Sequence, residues 1–448
     1  MMFPVMTDRK WLSGVILSLL LVLLSGCGTE SERTEFCVRA GAKGGDGSNW
    51  DSAFSQLPKR LKRGATYYIA AGTYPSYRFN ERERGTNWIV IKKATTAEHG
   101  PSEGWKPEFA SGPIVWLGPL YVDSSNWIFD GVQRNETNWF DGASYGFQIW
   151  HNENEQQMRL GSHGRAVTNV ELHNIYFLAR NSGLSTTVTG RRYGLDIDTM
   201  GGSGTFTGLK VSRCFFQFGN VPIFSRNNDG MIVEYSAFDA NESNAANHGE
   251  AMSAYYSNRG LIIRYNQFRS ITGTAVIAFS SGASHPVEGF EIYGNVIWNC
   301  NLGDGVFGFD REEWPFANTK IYNNTIARKA GGLNSGIAIR SGHNNQVFNN
   351  LWIDCGDGFW NGAGAEYSHN AYSWSWEEAD AQTNITPSIF VDYARDDFRL
   401  RSATHAGRIL AAPFDRDLTG EIRGDDGEWD RGAFEFCQGN SLSAGTKK

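Results

Sequence analysis

VSRCFFQFGN (from Val211), VEYSAFDANE (from Val233), IRYNQFRSIT (from Ile263), IYGNVIWNCN (from Ile292), IYNNTIARKA (from Ile321) and VFNNLWIDCG (from Val347) each open on an aliphatic residue; LHNIYFLARN (from Leu172) is an earlier member of the set. Their starts lie 39, 22, 30, 29, 29 and 26 residues apart, so the chain repeats itself at a near-constant period. The first position holds Leu172, Val211, Val233, Ile263, Ile292, Ile321 and Val347, and the sixth holds Phe177, Phe216, Phe238, Phe268, Ile297, Ile326 and Trp352. Apolar columns recurring once per coil suit strands stacked in register, each adding one rung to a continuous core. The fourth position becomes asparagine in succession, at Asn266, Asn295, Asn324 and Asn350. Asparagine suits a bend between strands, because it tolerates left-handed backbone and its amides can bond to one another up a ladder.

A second strand set follows each slice: VPIFSR, AMSAYYS, AVIAFSS, GVFGFDR and GIAIRSG. β-branched and aromatic residues dominate and no helical period appears, which excludes a leucine-rich or helical solenoid. The expected fold is all-β: a single-stranded right-handed parallel β-helix, a solenoid with an N-terminal capping helix.

Outside the repeats, the chain divides into five parts. Residues 1–26 read as a signal peptide: Arg9 and Lys10, then 14 mostly apolar residues, 11–24, too short to span a bilayer. The run ends in Leu24-Ser25-Gly26-Cys27, which resembles the lipobox of bacterial lipoproteins. That resemblance implies lipidation of Cys27, a tether over residues 27–35 and, with Gly28 next, anchoring in the outer membrane of the bacterial envelope. The β-helix is expected over residues 36–363, a closing segment over 364–437 and a disordered tail over 438–448. Residues 50–61 read as the capping helix, with Lys59, Arg60, Lys62 and Arg63 on its solvated face. This opening resembles that of the pectate-lyase-like superfamily. The ending DLTGEIRGDDGEWDRGAFEF resembles the closing segment of secreted bacterial β-helices, which makes Asp417, Asp430 and Glu435 turn and capping residues. Between positions 138 and 164 an insertion is expected to project beside the groove. Its Trp139, Phe140, Tyr145 and Trp150 serve either sugar stacking or the loop's own small core.

The full chain carries a formal charge of −7, and loss of Asp8, Arg9 and Lys10 with the signal makes it −8, so nucleic acid is excluded as a partner. Among six cysteines, Cys300 and Cys355 share a column two coils apart, too far to bridge. With Cys214 they are expected as small buried residues, and pairing of Cys37 with Cys437 is left open. The protein is expected to be a monomer.

Acid, base and cation types gather on the second strand set, as an active-site constellation requires. They are Asp196, Asp198, Arg226, His248, Glu250, Ser253, Tyr255, Tyr256, Asp310, Arg311, Arg340 and His343. The stretch Asn247-His248-Gly249-Glu250-Ala251-Met252-Ser253-Ala254-Tyr255-Tyr256-Ser257 resembles the corresponding region of the chondroitinase B and alginate lyase family (polysaccharide lyase family 6). The resemblance implies that Glu250 ligates calcium, that Tyr255 stands at the catalytic lysine's place and that His248 stands at another acidic ligand's place. GTAVIAFSS, in the next coil, lacks the family's arginine. The expected reaction is β-elimination on an acidic polysaccharide. A calcium ion on Glu250, or Arg311 and Arg340, would neutralise the uronate carboxylate. His248 and Tyr255 would move the protons, and Asp198, Arg226, Tyr256, Asp310 and His343 would bind the chain. Three alternatives stand beside it: a glycoside hydrolase using Asp196, Asp198, Asp229 and Glu250, a uronate epimerase, and a lipid-anchored module that binds glycan without catalysis.

Overall fold

The computed structural model describes residues 33–437, apart from 152–155, 163, 180–192, 200–203, 242–247, 281–286, 310–315, 328–335, 356–358, 360 and 413. Each regular coil lays down three short strands, and successive coils pair parallel. The first face is a sheet of 13 described strands, from Glu35–Val38 through Phe206–Ser212 to Glu366–Ser368. The second and third faces, exemplified by Phe215–Gln217 and Val221–Arg226, merge into one sheet of 18 described strands. They merge because the early strands Gly72–Phe79 and Ile114–Val122 run across both. The architecture is a parallel β-helix.

The repeat columns are its rungs. Leu172, Val211, Val233, Ile263, Ile292, Ile321 and Val347 are register partners from coil to coil. So are Phe177, Phe216, Phe238, Phe268, Ile297, Ile326 and Trp352. Phe177, Phe216, Phe238 and Phe268 stack with centroids 4.5, 5.0 and 4.7 Å apart, all buried.

Between first and second faces the asparagines form a continuous ladder. Asn266, Asn295, Asn324 and Asn350 each donate from Nδ2 to Oδ1 of the next rung, at 2.9–3.1 Å, ending on Asn370. The left-handed conformation, expected on these asparagines, belongs instead to the residue before each: Tyr265 (φ 56°), Gly294 (φ 66°), Asn323 (φ 51°) and Asn349 (φ 57°). That residue turns the corner, while the buried amide behind it bonds the backbone that the corner leaves unpaired.

Both ends are closed, though not as expected at the start. Residues 50–61 form turns, bends and a bridge from Phe54 to Val38 instead of a capping helix. Pro58 removes a donor and disfavours helical backbone at Leu57. Leu57 and Leu61 still enter the main core, while Trp50 packs in a separate cluster with Tyr68 and Trp105, two directions that one helical face cannot serve. Arg63 is not on a solvated face: its guanidinium donates to the carbonyls of Ser125, Asn126 and Glu81. At the far end Phe359 packs edge-on to Tyr372, Trp374 and Trp376 over the last rung.

The closing segment then returns along the flank. Asn323 donates to the carbonyl of Asp430, and Tyr265 donates to that of Arg416, so the strap reaches four rungs back from Asn370. Asp417, Asp430 and Glu435 are turn and capping residues, as expected. Asp417 accepts from the amides of Thr419, Glu421 and Glu435, and Asp430 accepts from those of Thr404 and Phe436. Glu435 pairs with Arg423 at 3.4 Å, both side chains 1% exposed.

The expected insertion at 138–164 contains one coil of the solenoid, with Phe147–His151 on its second face and Met158–Leu160 on its third. Tyr145 is buried and Phe140 meets Phe215 and Trp298 edge-on, while the half-buried Trp150 follows the inward Ile149 and donates to Gln148. Cys37, Cys214, Cys300 and Cys355 are buried, and no described cysteine, Cys437 included, is in a disulfide.

Candidate functional site

Strand alternation on the third face sends Leu195, Ile223, Met252 and Ile277 into the core and the residues between them outward. One outward column runs Arg78, Tyr121, Arg159, Asp196, Phe224, Ser253, Ala278 and Gly308. In the next column, Arg226 is the register partner of Tyr255 and stands one rung from Asp198. Their packing is aromatic and ionic. Tyr193, Phe224 and Tyr255 form a ladder at 4.8 and 5.6 Å. Arg226 Nη1 lies 3.3 Å from Asp198 Oδ2, and its guanidinium is 4.9 Å from the Phe224 ring and 5.0 Å from the Tyr256 ring. Its Nε is buried without a hydrogen bond. Tyr256 is 43% exposed and left-handed (φ 59°), an unfavourable backbone for a bulky side chain that turns its ring to the surface beside Arg226.

Glu250 enters the strand Met252–Tyr255, with its amide bonded to the carbonyl of Asn220 at 2.9 Å. Its side chain is 2% exposed, and its carboxylate is shared. Oε2 accepts from Ser253 Oγ at 2.5 Å, and Oε1 lies 3.3 Å from Nδ1 of His248, whose side chain is 66% exposed. The approach is electrostatic, since the buried Oε1 makes no hydrogen bond, and a carboxylate out of water beside an imidazole strengthens it as a base. Ser253 and Tyr255 face the same side of the strand, about 7 Å apart. The Glu250–His248 pair and the Arg226–Tyr255 pair therefore stand on one outward face of the solenoid. On that face Ser253, Ala278 and Ala338 are 1%, 9% and 0% exposed.

Two expected members lie elsewhere. Arg340 is exposed beyond Ile337–Ala338, three rungs from Tyr255 or about 14 Å. His343 leaves the third face entirely: it belongs to a small strip of Val287–Glu288, Phe316–Ala317 and Gly342–His343. There it lines a concavity of about 730 Å³ with Lys320, Glu291 and Glu366. Gly342, whose φ of 137° lies where side-chain-bearing residues rarely go, ends the third-face direction, which the residue pattern IAIRSGH does not reveal. Asp310, Arg311 and Cys27 fall outside the described residues.

Among the described residues, no group of three or more His, Cys, Asp or Glu is arranged to hold a metal ion. Glu250, the expected calcium ligand, accepts from Ser253 at Oε2, while its buried Oε1 lies 3.3 Å from His248 Nδ1 without a hydrogen bond. Four groove residues escaped the sequence reading: Arg78, Tyr121, Asp123 and Arg159. Arg78 lies 4.4 Å over the Tyr121 ring and pairs with Asp123. They sit in the early coils, where the ten-residue repeat is lost, so only pairing through the regular coils reveals their place.

The fold is a pectate-lyase-like parallel β-helix. The chain is similar in structure to pectate lyase Pel9A, with a TM-score of 0.58, 15% identity, and coverage of 90% of this chain and 97% of that one. No protein-family model and no curated protein sequence matches it.

Proposed function

We propose that this protein is a polysaccharide lyase of the bacterial cell envelope, anchored through Cys27, which cleaves a uronic-acid-containing chain by β-elimination. The observation that carries the proposal is the buried Glu250 carboxylate, which accepts from Ser253 and lies 3.3 Å from the exposed His248. The kinship of fold with a pectate lyase agrees with it.

Arg226 neutralises the uronate carboxylate and so acidifies the hydrogen on C5. His248 takes that proton on Nε2, and the imidazolium is stabilised by Glu250. The C5–H electrons form the C4=C5 double bond, the C4–O bond breaks, and the leaving oxygen takes a proton from the Tyr255 hydroxyl. No step passes through a metal. The exposed Tyr256 ring offers a stacking surface to an adjacent sugar.

The test is the ultraviolet absorbance of the new double bond when soluble protein from residue 28 meets polygalacturonate, alginate and glycosaminoglycans. A rising signal is expected, with kcat reduced at least a hundredfold in His248→Ala. Glu250→Gln should lose less, with its pH optimum displaced. New reducing ends without the absorbance would instead identify a hydrolase; binding without turnover would leave a glycan-binding module.

A further inference from the structure

Among the described cations of this face, Arg159 leaves two buried guanidinium nitrogens without a hydrogen bond, where Arg226 leaves one. Arg159 stands on Met158–Leu160, paired in register with Tyr121 on one side and Asp196 on the other. Its Nε and Nη2 are buried, yet neither makes a hydrogen bond. Orphaned guanidinium donors are costly in a folded protein and persist where something else satisfies them. Neighbouring cations are otherwise committed: Arg78 to Asp123 and Arg226 to Asp198.

Two adjacent guanidinium N–H groups match the two oxygens of a carboxylate, a fit that ammonium or neutral donors lack. Arg159 shares its outward column with Ser253, the partner of Glu250, three rungs away. A pyranose in an extended chain is about as long as one coil is tall. A polymer lying along the solenoid axis would thus present one sugar to each rung.

We propose that Arg159 is a carboxylate-recognition residue of the groove, binding a uronate about three sugars from the bond broken beside His248. This rests on the reading of the site as acting on a polyuronate. It adds a substrate requirement, a carboxylate on the sugar remote from the reacting one.

The experiment is equilibrium binding of polygalacturonate and alginate to soluble wild-type protein and to Arg159→Met, with carboxyl-reduced polymer as control. The variant should bind the acidic polymer roughly tenfold to a hundredfold more weakly. The carboxyl-reduced polymer should not distinguish the two proteins. Arg159→Lys, which keeps the charge and loses the fork, should resemble the Met variant. A purely structural arginine would lower the melting temperature when replaced, whereas Arg159→Met should leave it unchanged or raise it. Equal binding of acidic polymer by wild type and variant would overturn the assignment to Arg159 and spare the proposed function. Failure of the wild type to bind any polyuronate would overturn both.

Discussion

Asn295 shows how one side chain can serve three rungs. It accepts from the amide and Nδ2 of Asn266 and donates to the carbonyl of Ile263 and to Asn324. Removing the amide leaves two buried donors of Asn266 without partners. Asn295→Ala should therefore cost about 2–4 kcal/mol in denaturant unfolding. Asn295→Ser should cost less, because Ser236 fills the same column two rungs earlier and its Oγ accepts from the amide of Cys214. Equal losses in both variants would show that packing, not acceptance of those donors, sets the cost. The ladder was legible because its residue type repeats at a fixed position. The residue that takes the left-handed corner was not: tyrosine, glycine and asparagine all occur there, selected by the neighbours rather than by their own preference.

At the scale of elements, the C-terminal strap is the piece most open to test. It covers a flank where Tyr293, Tyr322 and Phe348 stack at 4.8 and 5.1 Å, and Phe414 lies edge-on to the first two. Burial inside the strap pushes the Glu435 carboxyl from the ordinary 4.5 up to about 7. A raised folded-state pKa means that the folded protein binds the proton more tightly than the unfolded chain does. This contribution to stability is complete below about pH 4.5 and is lost as pH rises through about 7. Glu81, Glu378 and Asp430 are raised by burial too, and Glu83, Glu234 and Asp397 are lowered, so the whole-protein profile mixes signs. The difference between wild type and Glu435→Gln isolates the group. Melting temperatures across pH 4.5 to 7 should fall more steeply for wild type, and parallel profiles would refute the assignment.

Across the whole molecule, a formal charge of −7 opposes the approach of a polyanion, while Arg159 and Arg226 attract it only at close range. Salt screens the long-range term first. The association rate with a polyuronate should thus rise as ionic strength increases to about 0.15 M, even as the bound complex loses some ionic contact. A rate that falls throughout in stopped-flow binding would mean that a local basic field governs encounter.

Sequence alone determined the parallel β-helix, its rung columns and the asparagine ladder. Each arises from a side chain repeating at the same place in every coil, and such periodicity survives in one dimension. The groove was only half legible. His248, Glu250, Tyr255 and Arg226 stand close in the chain or on regular coils, so their common face could be inferred. Arg159 joins them only through pairing with Asp196 across 37 residues of sequence, and His343 leaves them because the chain turns onto another strip. The plug of residues 50–61 likewise took its shape from two cores that it had to fill at once. Where a residue's surroundings come from distant coils, its environment is set by contact in three dimensions, and only the tertiary structure decides it.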